Sequence, residues 1–191
     1  NQYKKVDFIA NGTALPGYLY PEVNYRKTYP VQSLIFPFGG NASQFQAVEN
    51  ALNHQLSVIQ GPPGTGKTQT ILNIIANLLI RGQTVQVVSN NNSATQNVLE
   101  KLSSPKYRMD FLVASLGKRE NKAAFVKNQT GRYPNIAEWK LEREYMAELQ
   151  QKIDGYSAEL RTHFGKQNRL AEARQELSAL EVEKGHFEQF C

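Results

Sequence analysis

The feature that most constrains this chain is the octapeptide GPPGTGKT at residues 61–68, called the phosphate loop below. It matches the pattern G-x-x-x-x-G-K-[ST], in which a glycine-rich backbone surrounds a polyphosphate. A β-branched apolar run at residues 56–60 precedes it and predicts a buried strand. Apolar residues at helical spacing follow it over residues 69–80 and predict a helix. This order of strand, glycine loop and helix indicates a nucleotide-binding site.

Each residue type in the phosphate loop suits that chemistry. Glycines let backbone amides approach a polyphosphate, and the N-terminus of the next helix offers unpaired N–H groups to the anion. Lys67 is expected to reach the β- and γ-phosphates, and Thr68 is expected to bind Mg²⁺. These two residues are therefore the predicted catalytic residues. The alternative is a glycine turn that merely joins a strand to a helix. The predicted nucleotide-binding residues are Gly61, Pro62, Pro63, Gly64, Thr65, Gly66, Lys67 and Thr68.

The composition of the 191 residues, 40% hydrophobic and 20% charged, is typical of a soluble globular chain. No apolar run approaches the roughly 18 residues that a membrane helix needs, and the N-terminus lacks an apolar signal region, so a cytoplasmic protein without membrane association is expected. Cys191 is the single cysteine, which excludes an intrachain disulfide and a cysteine metal site. The histidines have no ligand-like spacing.

The formal net charge of +5 is unevenly distributed. Residues 1–137 contain 14 lysines and arginines against 6 acids, whereas residues 138–191 contain 8 against 11. The basic excess lies in the part that carries the phosphate loop. This distribution favours a polyanion such as nucleic acid as a partner.

A second predicted helix lies upstream of the phosphate loop. Asn41 or Ser43 can cap it. Near its start, Gln44 carries an amide that can read adenine through N6 and N7, which makes ATP the predicted nucleotide. A purely structural amphipathic helix is the alternative. The apolar face of this helix consists of Phe45, Val48, Ala51 and Leu52.

Strands and helices are predicted to alternate after the phosphate-loop helix, which ends at Arg81-Gly82. Strands at 84–89 and 110–116 flank a helix at 94–102, which predicts an α/β fold with a parallel sheet and helices on both faces. Ligands gather at the carboxyl edge of such a sheet, where the turns at 90–93 and 117–121 fall. Ordinary turn chemistry is the alternative for these polar turns. The predicted nucleic-acid contacts are Ser89, Asn90, Asn92, Lys118 and Arg119.

From about residue 136 the sequence predicts a helical appendage, either one long helix or two with a phase change near Phe164-Gly165. So narrow an apolar seam needs a partner, supplied by a fold-back near Gly165 or by self-association of the tail. The seam consists of Met146, Leu149, Ile153, Tyr156 and Leu160, followed by Leu170, Leu177 and Leu180.

Together these segments resemble the superfamily 1 helicases of the DNA2/NAM7-like group, the Upf1-like class 1B. Residues 41–48 are similar to the Q motif of that family, with Gln44 as the adenine reader, and GPPGTGKT to its motif I, a spelling that AAA+ ATPases share. Residues 89–102 are similar to motif Ia, although Gln96 and Lys101 replace its usual Asp and Arg. The matching positions of motif Ia are Asn92, Ala94, Glu100 and Leu102.

The resemblance implies a P-loop NTPase, RecA-like fold with ATP and Mg²⁺ as cofactors and an ATP-driven helicase or translocase acting on single-stranded DNA or RNA. The chain then divides into an irregular or β segment packing on the core (1–40), a partial RecA-like domain (41–135) and a truncated helical stalk or coiled-coil arm (136–191). The D-E-x-x motif and the second RecA-like domain of the family are missing. We therefore expect an N-terminal fragment that binds ATP weakly and hydrolyses it negligibly.

Other classes share parts of this pattern. A coiled-coil ATPase of the structural-maintenance-of-chromosomes type also has an early phosphate loop, but its loop usually reads G-x-N-G-S-G-K-S. An AAA+ ATPase shares the spelling of the loop but not the upstream helix with Gln44. A binding module with a vestigial phosphate loop is the third alternative.

Overall fold

Helices account for the regular structure of the computed structural model, which describes residues 14–19, 33–128 and 135–190. Short 3-10 helices lie at Asp110–Leu112 and Ile136–Trp139. No β-strand occurs within these ranges, and residues 57–60 and 84–89 have no regular secondary structure, so the predicted sheet stays a prediction. The α-helices are α1 (Ala14–Leu19), α2 (Ala42–Asn53), α3 (Lys67–Leu79), α4 (Asn92–Leu102), α5 (Arg119–Asn128) and α6 (Arg143–Phe190).

The chain forms two compact units. The first comprises Asn1–Asn77 and Gln150–Cys191, and the second comprises Leu78–Leu149. The domain boundaries expected after residues 40 and 135 stay a prediction. Much of the predicted N-terminal segment, residues 1–13 and 20–32, lies outside the described residues, as does Cys191. Its described part at Ala14–Leu19 is helical, so the irregular or β prediction is wrong there.

Helix α2 begins with the predicted cap. The Asn41 Oδ1 accepts the Gln44 N–H at 2.9 Å, and the Gln44 Oε1 accepts the Asn41 N–H at 3.0 Å, which closes a capping box. The predicted apolar face is confirmed, since Phe45 and Val48 are buried in the core of the first unit with Leu34. This core fixes the helix that carries Gln44.

Aromatic contacts extend this core to α6. The ring of Phe45 stacks on Phe36 at a centroid distance of 5.1 Å and meets Phe164 of α6 at 5.3 Å. Arg161 of α6 also donates to Glu49 of α2 at 2.7 Å. The first unit therefore joins α2 to the middle of α6 by ring packing and by an ion pair.

The stretch at residues 33–39, called the clamped segment below, ends in a turn at residues 37–38 and has its backbone bound by side chains of α3. The Ile35 N–H donates to the Asn77 Oδ1 at 3.0 Å, and the Asn77 Nδ2 donates back to the Ile35 carbonyl at 2.7 Å. Asn73 accepts the Phe38 N–H at 3.2 Å and donates to the Gly39 carbonyl at 2.7 Å. Both asparagines are 0% exposed, so the buried face of α3 is partly polar.

Helix α6 binds the same segment from its own side. The Ser157 hydroxyl accepts the Leu34 N–H and donates to the Leu34 carbonyl, both at 3.0 Å. The Gln150 Nε2 donates to the Ser33 hydroxyl at 3.0 Å. The clamped segment thus satisfies backbone groups as a strand would, but with side chains as partners.

Helix α6 is continuous from Arg143 to Phe190, so the alternative of one long helix is confirmed and the expected fold-back near Gly165 is wrong. A glycine such as Gly165 costs about 1 kcal/mol inside a helix. The helix nevertheless continues through this position, where the neighbouring Phe164 packs against Phe45. The face of α6 that packs in the first unit carries Ser157 and Phe164, rotated from the predicted seam, whose Tyr156 is exposed. None of the described helices combines the length and apolar character that a membrane crossing requires.

Two local predictions in the second unit are also corrected. Asp110–Leu112, expected to open a strand, forms a 3-10 turn in which the Leu112 N–H donates to Met109 at 3.1 Å. Arg119 was expected in a turn but opens α5, whose Glu120 in the first turn and Lys127 in the last turn complement the helix dipole. A strand depends on a neighbour for its hydrogen bonds, whereas these turns close locally.

The predicted end of α3 is confirmed. Gly82 adopts φ +68°, its N–H donates to Leu79 at 2.9 Å, and the Gln83 N–H donates to Leu78 at 3.0 Å. This pair of bonds is a Schellman motif, which requires a left-handed residue at the position of Gly82.

Candidate nucleotide-binding site

The phosphate loop adopts a backbone conformation that depends on glycine. Gly64 and Gly66 have φ of +86° and +79°, in the left-handed region that L-residues with a side chain rarely adopt. A Cβ atom on Gly66 would lie 2.2 Å from the Gln44 Nε2, and one on Gly61 would lie 2.6 Å from the Thr65 hydroxyl. Conformation therefore favours glycine at positions 64 and 66, and lack of space favours it at positions 61 and 66.

Hydrogen bonds within the loop keep it folded on itself. The Thr65 hydroxyl donates to the Pro62 carbonyl at 2.9 Å. The Lys67 ammonium donates to the Pro62 carbonyl at 2.7 Å and also to the Gly61 carbonyl. Both acceptors are neutral, whereas a phosphate oxygen carries negative charge and would attract the same ammonium more strongly. Lys67 is thus held beside the loop by bonds that an anion can replace.

Thr68 stands at the second position of α3 and is half-buried. Within the part of the chain that the structure describes, its hydroxyl has no hydrogen-bond partner. The first N–H groups of α3 belong to the set that has no acceptor inside a helix. The site therefore combines a hydroxyl ligand, a helix N-terminus and an ammonium group, a donor set that fits a Mg²⁺-bound triphosphate.

No group of three or more histidine, cysteine, aspartate or glutamate side chains is placed for a metal ion among the described residues. The Thr68 hydroxyl is the group of the phosphate loop that suits a Mg²⁺ ion bound to phosphate oxygens. In P-loop proteins Mg²⁺ is usually held by this hydroxyl and by a carboxylate, together with substrate phosphates and water.

Gln44 lies directly against the phosphate loop and is 6% exposed. Its Nε2 donates to the Gly66 carbonyl at 3.1 Å and to the Gln69 Oε1 at 3.2 Å. Its Oε1 accepts the Asn41 N–H in the capping box. Both N–H donors are thus engaged, and reading adenine requires Gln44 to exchange at least one of them. The adenine role of Gln44 stays a prediction.

The predicted nucleic-acid residues lie in the second unit, in two local groups. Ser89 accepts the Asn91 N–H at 3.1 Å, and Asn91, which the turn prediction contained without a role, caps α4 by accepting the Ser93 N–H at 3.0 Å. Asn90 and Asn92 are exposed beside this cap. The segment therefore serves at least as the N-terminal cap of α4.

Lys118 and Arg119 form the second group at the start of α5. The Lys118 carbonyl accepts the Lys122 N–H at 3.0 Å, and both basic side chains are exposed. No hydrogen bond or ion pair joins this group to Ser89, Asn90 or Asn92 among the described residues. The structure therefore leaves both basic side chains accessible to an anionic partner.

One residue of the site was missed from the sequence. Gln69, in the first turn of α3, accepts from Gln44 and donates through its Nε2 to the Phe38 carbonyl. A signal was available, because Gln69, Asn73 and Asn77 recur every four residues and so share one face of the helix. Polar residues at that spacing inside a predicted amphipathic helix indicate a buried polar face.

Comparison with known proteins identifies the family. The model of a family described as "AAA domain" matches residues 39–189. The chain is 45% identical over 65 residues to DNA polymerase alpha-associated DNA helicase A of Schizosaccharomyces pombe, which covers 34% of the chain and 10% of that protein. It is 48% identical over 63 residues to the Regulator of nonsense transcripts 1 homolog of Drosophila melanogaster, a match that covers 32% of the chain and 5% of that protein.

A longer match reaches the Regulator of nonsense transcripts 1 of Caenorhabditis elegans, 34% identical over 115 residues, covering 53% of the chain and 10% of that protein. The chain thus spans a tenth or less of the length of these relatives. No solved structure matches it. The helicase relatives do not favour the chromosome-maintenance or AAA+ alternatives. The chain belongs to the AAA domain family, in its Upf1-like superfamily 1 helicase group, and has a P-loop NTPase fold.

Proposed function

We propose that this chain is the nucleotide-binding part of an ATP-dependent helicase or translocase acting on single-stranded nucleic acid. The observation that carries the proposal is the phosphate loop, in which two left-handed glycines precede a helix that begins with Lys67 and Thr68. Relatives named as helicases support the extension from nucleotide binding to helicase action. Because these relatives are far longer than the chain, activity would belong to a longer protein.

The residues of the loop would divide the work of holding Mg²⁺-bound ATP. Lys67 would exchange the Gly61 and Pro62 carbonyls for the β- and γ-phosphates, and Thr68 would bind Mg²⁺ through its hydroxyl. Bound Mg²⁺ supplies charge neutralisation on the phosphates. The N–H groups at the start of α3 would donate to the remaining phosphate oxygens.

The RecA-like parallel sheet also belongs to the proposal. Residues 56–60 and 84–89 retain the apolar, β-branched composition of buried strands, and they flank a helix as strands of a parallel sheet do. We likewise keep the division at residues 40 and 135 and a cytoplasmic location as proposals.

The adenine role of Gln44 has a direct test. Replacing Gln44 by Ala should weaken binding of Mg·ATP more than that of Mg·CTP, because adenine alone offers the donor–acceptor edge that an amide matches. Gln46→Ala on the same helix is the matched control, since Gln46 is exposed and bonds only to Asn50 among the described residues. Equal losses for the two nucleotides would assign Gln44 to the loop and not to the base.

The nucleic-acid contacts are tested by salt dependence. We expect weak binding of a single-stranded oligonucleotide without strong sequence preference, with a log–log salt slope of about −0.7 for each neutralised phosphate. The double variant Lys118→Ala/Arg119→Ala should lose affinity and flatten the slope, whereas Lys166→Ala/Arg169→Ala on α6 should not. An unchanged slope would exclude Lys118 and Arg119 from the contact surface, and DNA and RNA oligonucleotides compared in parallel would show which the chain prefers.

Self-association of the tail is the remaining part of the proposal. The second half of α6 exposes an apolar stripe with no packing partner among the described residues. Sedimentation velocity should show a concentration-dependent dimer that the variant Leu177→Lys abolishes. A strict monomer at all concentrations would remove self-association from the account. The stripe consists of Leu170, Leu177, Leu180 and Phe187.

A further inference from the structure

A chain of amide groups connects the clamped segment to the phosphate loop. The Gln69 Nε2 donates to the Phe38 carbonyl, and the Gln69 Oε1 accepts the Gln44 Nε2 at 3.2 Å. The same Gln44 nitrogen donates to the Gly66 carbonyl at 3.1 Å. Gln69 therefore stands between a fixed backbone segment and the side chain that touches the loop.

Gln69 determines which way the Gln44 amide faces. The Gln44 Oε1 is committed to the Asn41 N–H, so the two Nε2 hydrogens must find acceptors on the opposite side. The Gly66 carbonyl at 3.1 Å and the Gln69 Oε1 at 3.2 Å are the two near acceptors, and the Thr65 carbonyl lies farther away at 3.5 Å. Without the Gln69 oxygen, the second N–H of this nearly buried amide would have only the longer contact to the Thr65 carbonyl, and the amide would be held less firmly in this orientation.

The Gly66 carbonyl is the point at which this orientation reaches the phosphates. It accepts from the Gln44 Nε2, from the Thr70 N–H at 3.0 Å and from the Thr70 hydroxyl at 3.3 Å. A trans peptide is planar, with its C=O and N–H pointing in opposite directions. Fixing the Gly66 carbonyl toward Gln44 therefore fixes the direction of the Lys67 N–H, a donor at the N-terminus of α3.

We propose that Gln69 is a positioning residue of the candidate nucleotide site, which acts through Gln44 on the Gly66–Lys67 peptide and so aims its N–H at the bound phosphates. This inference rests on the proposed function. It predicts an effect of Gln69 on phosphate binding even in the absence of a base, because Gln44, to which Gln69 is bonded, also donates to the Gly66 carbonyl of the phosphate loop.

The test is a double-mutant cycle measured with Mg²⁺ and inorganic tripolyphosphate, which has phosphates but no base. Gln69→Met and Gln44→Met should each lower the affinity roughly threefold to tenfold, the effect of losing one or two hydrogen bonds. The double variant should lose no more than Gln44→Met alone, because Gln69 acts through Gln44. Gln46→Met, an exposed glutamine of the same helix, should bind as the wild type does.

Thermal melts of the same variants separate positioning from folding. A merely structural Gln69 would lower the melting temperature and leave tripolyphosphate affinity unchanged at a temperature where all variants are folded. That result, or fully additive losses in the cycle, would overturn the inference. A Gln69→Met loss confined to Mg·ATP and absent for tripolyphosphate would also overturn it, since Gln69 would then act on the base.

The Lys67→Ala variant distinguishes failure of the inference from failure of the proposed function. If Lys67→Ala loses affinity for tripolyphosphate while Gln69→Met keeps the wild-type affinity, only the inference about Gln69 is wrong. If the wild-type chain does not bind tripolyphosphate, or binds it as well as Lys67→Ala does, the proposed function falls and the inference falls with it.

Discussion

Replacing Asn77 by Leu should destabilise the first unit strongly, although the two side chains are similar in size. Asn77 is 0% exposed and binds both backbone groups of Ile35, accepting the N–H at 3.0 Å and donating to the carbonyl at 2.7 Å. It also donates to the Asn73 carbonyl at 2.8 Å. Leucine can make none of these bonds, so the Ile35 N–H and carbonyl would lose their side-chain partner.

The expected cost follows from those two backbone groups. An unsatisfied buried donor or acceptor costs about 1–3 kcal/mol, and Ile35 is half-buried, so about 2–4 kcal/mol is expected in total. Each kcal/mol lowers the melting temperature of a chain of this size by about 2–4 °C. The melting temperature of Asn77→Leu should therefore fall by roughly 4–16 °C.

Circular dichroism at 222 nm during a thermal melt measures this shift, because the described regular structure is helical. The matched control is Asn50→Leu, also within a helix, where the side chain is exposed and bonds only to Gln46 among the described residues. That control should change stability by no more than about 0.5 kcal/mol. If Asn77→Leu and Asn50→Leu have the same melting temperature, the clamped segment is not held by the amides of α3.

Further predictions concern the loop and the ion pair. Gly66→Ala should abolish Mg·ATP binding and lower stability by about 1–3 kcal/mol, because its Cβ would meet an amide nitrogen at 2.2 Å in a left-handed backbone. Gly64→Ala has open space around its Cβ and should incur only the left-handed strain of about 1–2 kcal/mol; equal loss of binding in both would contradict the contact argument. A cycle of Arg161→Met and Glu49→Gln should give a coupling of about 1 kcal/mol in urea unfolding, reduced by salt, and a coupling of zero would show a pair without net value.

The parts of the site that could be predicted from the sequence are those fixed by local chemistry. The phosphate loop, the cap at Asn41 and the helix end at Gly82 each depend on residues within a few positions of one another. Their turn and capping requirements select particular residue types. Such features can therefore be read in a single sequence.

The clamped segment could not be predicted because its partners are distant in sequence. Leu34 binds Ser157, 123 positions away, and Ile35 binds Asn77, 42 positions away. A periodicity argument assigns buried positions to apolar residues, whereas α3 buries Asn73 and Asn77 and leaves Ile71 36% exposed. The polar face of α3 is favourable only because a backbone segment lies against it.

Predictions in the second unit failed where the pattern was weak or depended on a neighbour. Helix α5 is mostly polar and has few apolar residues, so no apolar periodicity predicted it. The only signal in its sequence was an acidic residue in the first turn and a basic residue in the last turn, which match the helix dipole. The strand expected at Asp110 had an apolar pattern, yet a strand needs a paired neighbour, whereas a 3-10 turn closes on itself.

The central claim is that the phosphate loop binds a nucleoside triphosphate through Lys67. Calorimetric titration of the chain with the Mg²⁺ complex of a non-hydrolysable ATP analogue tests it most directly. Lys67→Ala removes a charge-assisted contact worth about 1.5–3 kcal/mol, so affinity should fall roughly tenfold or more. Lys101→Ala, an exposed lysine of α4, should bind as the wild type does. Equal affinities for the wild type and Lys67→Ala would contradict the account.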